Sequence, residues 1–242
     1  MKILQVLHTL YALVIFIILF LLFFPFFLIP IYFPSRFKLV GIINRWWAWL
    51  FFPLIGFPWK VEYHQKLDPE KNYIFCPNHF SYLDIAIMGL NHHNTIFVGK
   101  SAMEKIPLFG FMYRKLHITV DREKLSSRYS TFTRSLEALD TGKSLVIFPE
   151  GGMVTHRPPH MGRFKDGAFR ASIEKQIEIV PVTIPYNWII LPDTKYLTLR
   201  WKPLKLIFHA PVDPSGYSIK ETDALKEKVY SIIDTELKNH FG

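Results

Sequence analysis

The segment Phe75-Cys76-Pro77-Asn78-His79-Phe80-Ser81-Tyr82-Leu83-Asp84-Ile85 passes from an apolar β-type run, through a proline, into sequence that suits a helix. Strand ends are where α/β proteins place reactive groups, so this exit bears on both the fold class and the chemistry. Outward from it, short β-branched and aromatic runs recur at 73–76, 95–98, 117–120, 144–148 and 177–184, and most intervals between them can hold a helix. The alternation predicts an α/β fold with a mixed, largely parallel sheet flanked by helices. The interval 122–140 is the clearest helix, because Leu125, Tyr129, Phe132, Leu136 and Leu139 fall on one stripe and Gly142 supplies a stop. Late in the chain, 196–201 and 204–210 read as two strands around Lys202-Pro203, and a helix over 219–237 closes the fold. No internal repeat or low-complexity linker interrupts this body.

Residues five apart on a continuous helix differ by about 500° in rotation, so His79 and Asp84 cannot touch if both are helical. His79 is therefore expected to precede the helix. With Ser81 as N-cap, Asp84 becomes the third helical residue, and the loop can fold back so that the carboxylate meets the imidazole. Such a pair makes a general base: the acid fixes the tautomer and stabilises the imidazolium formed when histidine takes a hydroxyl proton. The same Ser81-x-x-Asp84 spacing also resembles a capping box, in which the acid complements the helix dipole without catalysis. The local pattern allows both readings.

The 242 residues suit one domain, and a single cysteine excludes an intrachain disulfide framework. Lys and Arg number 29 against 20 Asp and Glu, a formal charge of +9, while half the residues are apolar. The apolar excess is localised, since nothing between Ile3 and Ser35 is charged at neutral pH. A helix over 3–24 alone would be about 33 Å long, enough for a hydrocarbon core of about 30 Å. A signal peptide would end in small residues, whereas this run ends in Pro25, Phe26, Phe27 and Pro30. The next stretch, 42–52, carries Trp46, Trp47 and Trp49 beside Arg45, a composition suited to the headgroup level. We read 1–60 as a membrane anchor, an apolar helix followed by an interfacial one, and 61–242 as the α/β domain. Lys2 on one flank and Arg36 with Lys38 on the other do not separate a single crossing from a re-entrant hairpin. The aromatic residues concentrate in the apolar N-terminus and do not alternate with the basic ones, which argues against nucleic acid and for anionic lipid headgroups.

Five ordered blocks carry a resemblance. Asn78-His79-x4-Asp84 resembles the N-H-x4-D motif of glycerolipid acyltransferases. The stretch Lys100-Ser101-Ala102-Met103-Glu104-Lys105-Ile106-Pro107-Leu108-Phe109-Gly110 is similar to that family's lysine-bearing segment, Val120-Asp121-Arg122 to its arginine block, Phe148-Pro149-Glu150-Gly151 to its F-P-E-G block, and Ile179-Val180-Pro181-Val182-Thr183-Ile184 to its proline-bearing strand. Together they identify a resemblance to PlsC-like 1-acyl-glycerol-3-phosphate acyltransferases over about residues 70–185. The resemblance implies an O-acyltransferase at the cytoplasmic face of a cell membrane, with acyl-CoA or acyl carrier protein as co-substrate and no further cofactor. The implied acceptor is a lysophospholipid, foremost lysophosphatidic acid. Carried onto this chain, it implies that His79 deprotonates the acceptor hydroxyl, that Asp84 orients His79, that Arg122 and Lys100 hold the phosphate, and that Glu150 and Gly151 line the glycerol-phosphate site.

One departure is plain: where that family commonly reads F-P-E-G-T-R-S, this chain reads Phe148-Pro149-Glu150-Gly151-Gly152-Met153-Val154, without the hydroxyl and the cation. Arg157, Arg163 or Lys165 is expected to supply the charge. The alternatives are an acceptor that is a lyso-amino-acid lipid, a phospholipid transacylase, or a non-catalytic lipid-binding protein. His92-His93 and His156-x3-His160 lack the cysteine or carboxylate partners of a metal site, so no metal is expected, and Cys76 reads as a buried small hydrophobe.

Overall fold

A computed structural model describes residues 2–154, 157–194 and 197–241. Seven strands form one sheet: β1 (Trp59–Tyr63), β2 (Ile74–Pro77), β3 (Thr95–Lys100), β4 (Ile118–Val120), β5 (Ser144–Ile147), β6 (Ile179–Thr183) and β7 (Leu204–Phe208). Their spatial order is β1-β7-β6-β2-β5-β3-β4, and every pairing is parallel except β6 with β7. The apolar runs read from the sequence are strands buried on both faces. Ile74, Cys76, Leu145 and Ile179 point into one core and Phe75, Val146, Val180 and Val182 into the other.

Helices cover the faces. On the first, α5 (Leu125–Asp140), α6 (Gly167–Lys175) and α8 (Thr222–Phe241) supply Ala138, Leu139, Phe169, Leu225, Val229 and Ile233. On the second, α1 (Lys2–Tyr32), α2 (Leu39–Leu54) and α3 (Leu83–Ile87) supply Ala12, Leu19, Phe51, Phe52, Leu83 and Ile87. Two short helices, α4 (Phe109–Leu116) and α7 (Asn187–Ile190), complete the body.

The sequence reading needs three corrections. Residues 197–201 are not a strand, and Lys195 and Tyr196 lie outside the described residues. This segment instead crosses the end of α1, where the Leu199 N–H donates to Thr9 Oγ1 at 2.8 Å. In α5 the expected stripe is rotated at its start: Leu125 and Tyr129 are exposed, whereas Thr131, Ser135, Ala138 and Leu139 are buried. Their hydroxyls are satisfied locally, Thr131 Oγ1 on Thr119 O and Ser135 Oγ on Thr131 O, which removes the cost of burying them. Strand β1 and helices α4 and α6 carry too few residues in a periodic pattern to be read beforehand.

The apolar helix α1 is about 46 Å long at 1.5 Å per residue. It docks along its length on the rest of the protein. His8 Nε2 bonds Ile55 O at 2.8 Å, Tyr11 Oη donates to Leu54 O at 2.8 Å, and Phe16 meets Trp47 and Phe51 edge-on. Farther along, Phe20 contacts Phe109 of α4, and Phe27 is buried with Val40, Ile43 and Met112. The opposite face, including Ile3, Leu7, Leu10, Val14, Ile18 and Leu22, is exposed and apolar. Exposed Trp46 and Trp49 stand edge to face on α2. Arg45 does not point to the surrounding medium, because its guanidinium donates to the Asn91 and His92 carbonyls.

Candidate active site

Four neighbouring strands, β2, β5, β3 and β4, each deliver one predicted residue at the carboxyl edge of the sheet. His79 follows β2, Glu150 follows β5, Lys100 ends β3 and Arg122 follows β4. Parallel strands share the direction in which they end, so residues up to 71 positions apart gather on one edge.

His79 lies outside the helix, as the rotation argument requires, and its Nδ1 is 3.1 Å from Asp84 Oδ2. That oxygen also accepts from the Phe80 and Ser81 N–H groups, both at 2.8 Å. Ser81 Oγ accepts from Leu83 N at 3.1 Å and donates to Leu191 O at 2.7 Å. Asp84 therefore closes the turn and holds the histidine with the same oxygen, a geometry that serves both readings of this residue. The helix starts one residue later than expected, with Tyr82 as its N-cap and no side-chain cap on that residue. With Nδ1–H donating to Asp84, Nε2 is left as the ring's acceptor nitrogen. The ring is 7% exposed and stacks on Phe148, centroids 4.0 Å apart. Asn78, fully buried, fixes this loop from the other side. Its amide accepts from Ile184 N at 2.8 Å and donates to Ile184 O at 3.1 Å, continuing the β2–β6 ladder with a side chain.

Glu150, expected to line the glycerol-phosphate site, has both carboxylate oxygens engaged by backbone N–H groups. It is fully buried, and its two oxygens accept from the His79 N–H at 2.8 Å and the Gly162 N–H at 2.7 Å. Burial pushes its carboxyl up to about 7, against the two N–H groups that favour the ionised form. Gly151, at φ +77, turns the chain beyond it, and its N–H is engaged by Phe148 O at 3.0 Å. Between about pH 4.5 and 7 the native state holds a proton on Glu150 that the unfolded chain releases, so this group's contribution to stability falls as pH rises through that window. Glu150→Gln is expected to flatten that slope, as read by the change in urea midpoint between pH 5 and 8. It is also expected to cost about 1–3 kcal/mol, because the amide turns an N–H donor toward a backbone donor.

Arg122 is half-buried, and desolvation lowers its pKa. Among the described residues no carboxylate pairs with it, since the adjacent Asp121 faces Lys124 at 3.6 Å. Its Nη1 lies 2.8 Å from the point a Cβ on Gly152 would occupy, and Gly152 has φ +149. The guanidinium fills the space a side chain at 152 would need, which accounts for glycine in place of threonine. Lys100 is exposed at the end of β3, where it pairs in register with Val120, two residues before Arg122.

Cys76 is buried, with its thiol pushed well up by desolvation, and is a packing residue. His156 lies outside the described residues. The sequence reading overlooked one cluster of imidazoles and acid, His64, His209 and Glu236, whose candidate ligand atoms fall within 4.8 Å of one another. Two of these groups have protein partners, Thr183 Oγ1 at 2.8 Å from His209 Nε2 and His240 Nε2 at 3.1 Å from Glu236. His64 and His209 pack edge to face.

This geometry defines a class: α/β proteins with a histidine–carboxylate pair at the carboxyl edge of a largely parallel sheet and an apolar helical layer on one face. The sequence model of the Acyltransferase family matches residues 59–185, just over half the chain, and the protein belongs to that family. The 1-acyl-sn-glycerol-3-phosphate acyltransferase of Haemophilus influenzae is 32% identical over 198 residues, 78% of each chain. A Chlamydomonas reinhardtii protein of the same name is 26% identical over 170 residues, and the match spans about half of that protein. The crystal structure of the LPA acyltransferase PlsC from Thermotoga maritima superposes with a TM-score of 0.83 over 100% of this chain and 98% of the other, at 23% identity, a likeness of fold.

Proposed function

We propose that this protein transfers an acyl chain from a thioester on CoA or acyl carrier protein to the free hydroxyl of lysophosphatidic acid, giving phosphatidic acid. One observation carries the reading: His79, with Nδ1 fixed by Asp84, stands on the same sheet edge as Arg122, a half-buried cation without a carboxylate partner among the described residues. His79 Nε2 takes the hydroxyl proton as the oxygen attacks the thioester carbonyl. Collapse of the tetrahedral intermediate expels the thiolate, which recovers the proton from the imidazolium. No acyl-enzyme is needed. Arg122, with Lys100 on the neighbouring strand end, holds the phosphate. The names of the Haemophilus and Chlamydomonas relatives support this acceptor. The packing of Arg122 onto Gly152 removes the main reason for preferring a lyso-amino-acid lipid.

The docking of α1 along the body supports a helix lying in one leaflet, its exposed apolar face in the acyl chains, over one that crosses the bilayer. We place the body on the cytoplasmic side, where the thioester donors are made.

Membrane fractions given labelled acyl donor and a panel of lysolipids test the assignment, with lysophosphatidic acid expected as the preferred acceptor. Arg122→Ala is expected to lower kcat/KM for it about 10- to 150-fold, the equivalent of a lost bond to a charged group. The loss should fall mainly on KM, because the phosphate is gripped alike in ground and transition states. Arg122→Lys should recover only part, since the ammonium lacks the planar fork. Equal impairment of phosphate-free acceptors would remove the phosphate assignment.

A further inference from the structure

A phosphate monoester carries close to two negative charges at neutral pH, and Arg122, a single positive charge, lies against Gly152 of the Gly151-Gly152 turn. The position that follows, Met153, brings no charge. Several nearby cations are engaged elsewhere. Arg163 lines a groove with Asp223, Glu227 and Tyr230 on the α8 side, Lys226 bridges Asp166 and Asp223 at 2.7 and 2.5 Å, and Arg157 already has a partner.

Lys165 differs from these. Its N–H donates to Pro149 O at 2.7 Å, which pins the start of its side chain to the turn that carries Glu150. Its stem then crosses Gly151, with Cγ and Cε at 3.4 and 3.8 Å from where a Cβ on that glycine would lie. A Cβ at 151 would touch that stem in ordinary van der Waals contact, whereas one at 152 would displace Arg122. The two cationic side chains thus lie against adjacent residues of one turn. Lys165 is exposed, and no carboxylate pairs with it among the described residues.

We propose that Lys165 is a second phosphate-binding residue of the acceptor site, forming with Arg122 a two-cation clamp over the Gly151-Gly152 turn. The clamp rests on the lysophosphatidic acid reading and specifies a preference for a terminal phosphate over a neutral or zwitterionic head group. Lys165 carries the charge that position 153 lacks.

The test uses the full-length protein in detergent, with two readouts: initial rates on lysophosphatidic acid, and competitive inhibition by sn-glycerol 3-phosphate with glycerol as the neutral control. For Lys165→Ala, the KM for lysophosphatidic acid and the Ki of glycerol 3-phosphate should both rise about 10-fold, the lower end for a charge-assisted contact because this lysine is exposed. Turnover should stay within about twofold, and Lys165→Arg should restore both constants. Melting temperature reports folding, and Lys165→Gln, which keeps most of the stem, serves if alanine disturbs the turn. An unchanged KM and Ki overturns the clamp while leaving the acceptor reading intact. A raised KM with an unchanged Ki also overturns it, since the lysine would then act on the lipid surface and not on the phosphate. If the unaltered protein acylates another lysolipid and neglects lysophosphatidic acid, the acceptor reading itself fails and the clamp falls with it.

Discussion

In His79→Ala, kcat for acyl transfer should fall at least about 10²-fold, the loss typical of a positioned general base, while the protein stays folded. The structure explains why folding survives. Removing the imidazole does not orphan the buried Asp84 carboxylate, because the Phe80 and Ser81 N–H groups still hold Oδ2 at 2.8 Å. The backbone N–H of residue 79 still reaches Glu150, and what is lost is a stacking partner for Phe148. A melting curve close to that of the unaltered protein, with acyl transfer near background, is the expected pair of results. A variant that kept its turnover would leave this histidine without a catalytic role.

Asp84→Asn should lower kcat about 10²-fold, and here the mechanism of the loss can be specified. Two backbone donors converge on Oδ2, so the asparagine carbonyl must take that place and can still accept from His79 Nδ1–H. The tautomer survives and the negative charge does not. The effect isolates stabilisation of the imidazolium and should fall short of the roughly 10⁴-fold loss seen when a triad histidine adopts the wrong tautomer. The asparagine NH₂ replaces Oδ1, a buried atom without a hydrogen-bond partner among the described residues, so a stability cost of about 1–3 kcal/mol is expected alongside. Urea unfolding and specific activity separate the two effects. Lost stability with normal specific activity would leave Asp84 as a turn-closing residue alone.

The sheet was legible where strands are buried on both faces. Strands β2, β3, β5 and β6 announce themselves as apolar runs because neither face meets water. The edge strand β1 does not, since Trp59-Lys60-Val61-Glu62-Tyr63 exposes its charges and pairs Lys60 with Glu62. The reversed direction of β7 against β6 leaves no local trace, because direction is set by the route of the chain between the strands. At the site, spacing placed His79 outside the helix and Asp84 within reach of it. Nothing in the order of residues showed that Glu150 faces two backbone N–H groups, nor that Arg122 lies on Gly152, since those contacts join segments 71 and 30 positions apart. The exposure of Leu125 and Tyr129 escaped the helical pattern for the same reason, as periodicity does not say how far a helix extends past the sheet it covers.

The carboxylate that ties the His79 loop to Gly162 bears on how readily the head-group preference can be altered. Gly162 opens the loop that carries Lys165, so one buried side chain braces both the histidine proposed to react and the segment proposed to choose the acceptor. Rate and selectivity are therefore not separable modules in this scaffold. Grafting a different 160–167 loop to change the preferred lipid would also shift the histidine's footing, and such chimeras should show strong epistasis between loop substitutions and position 150.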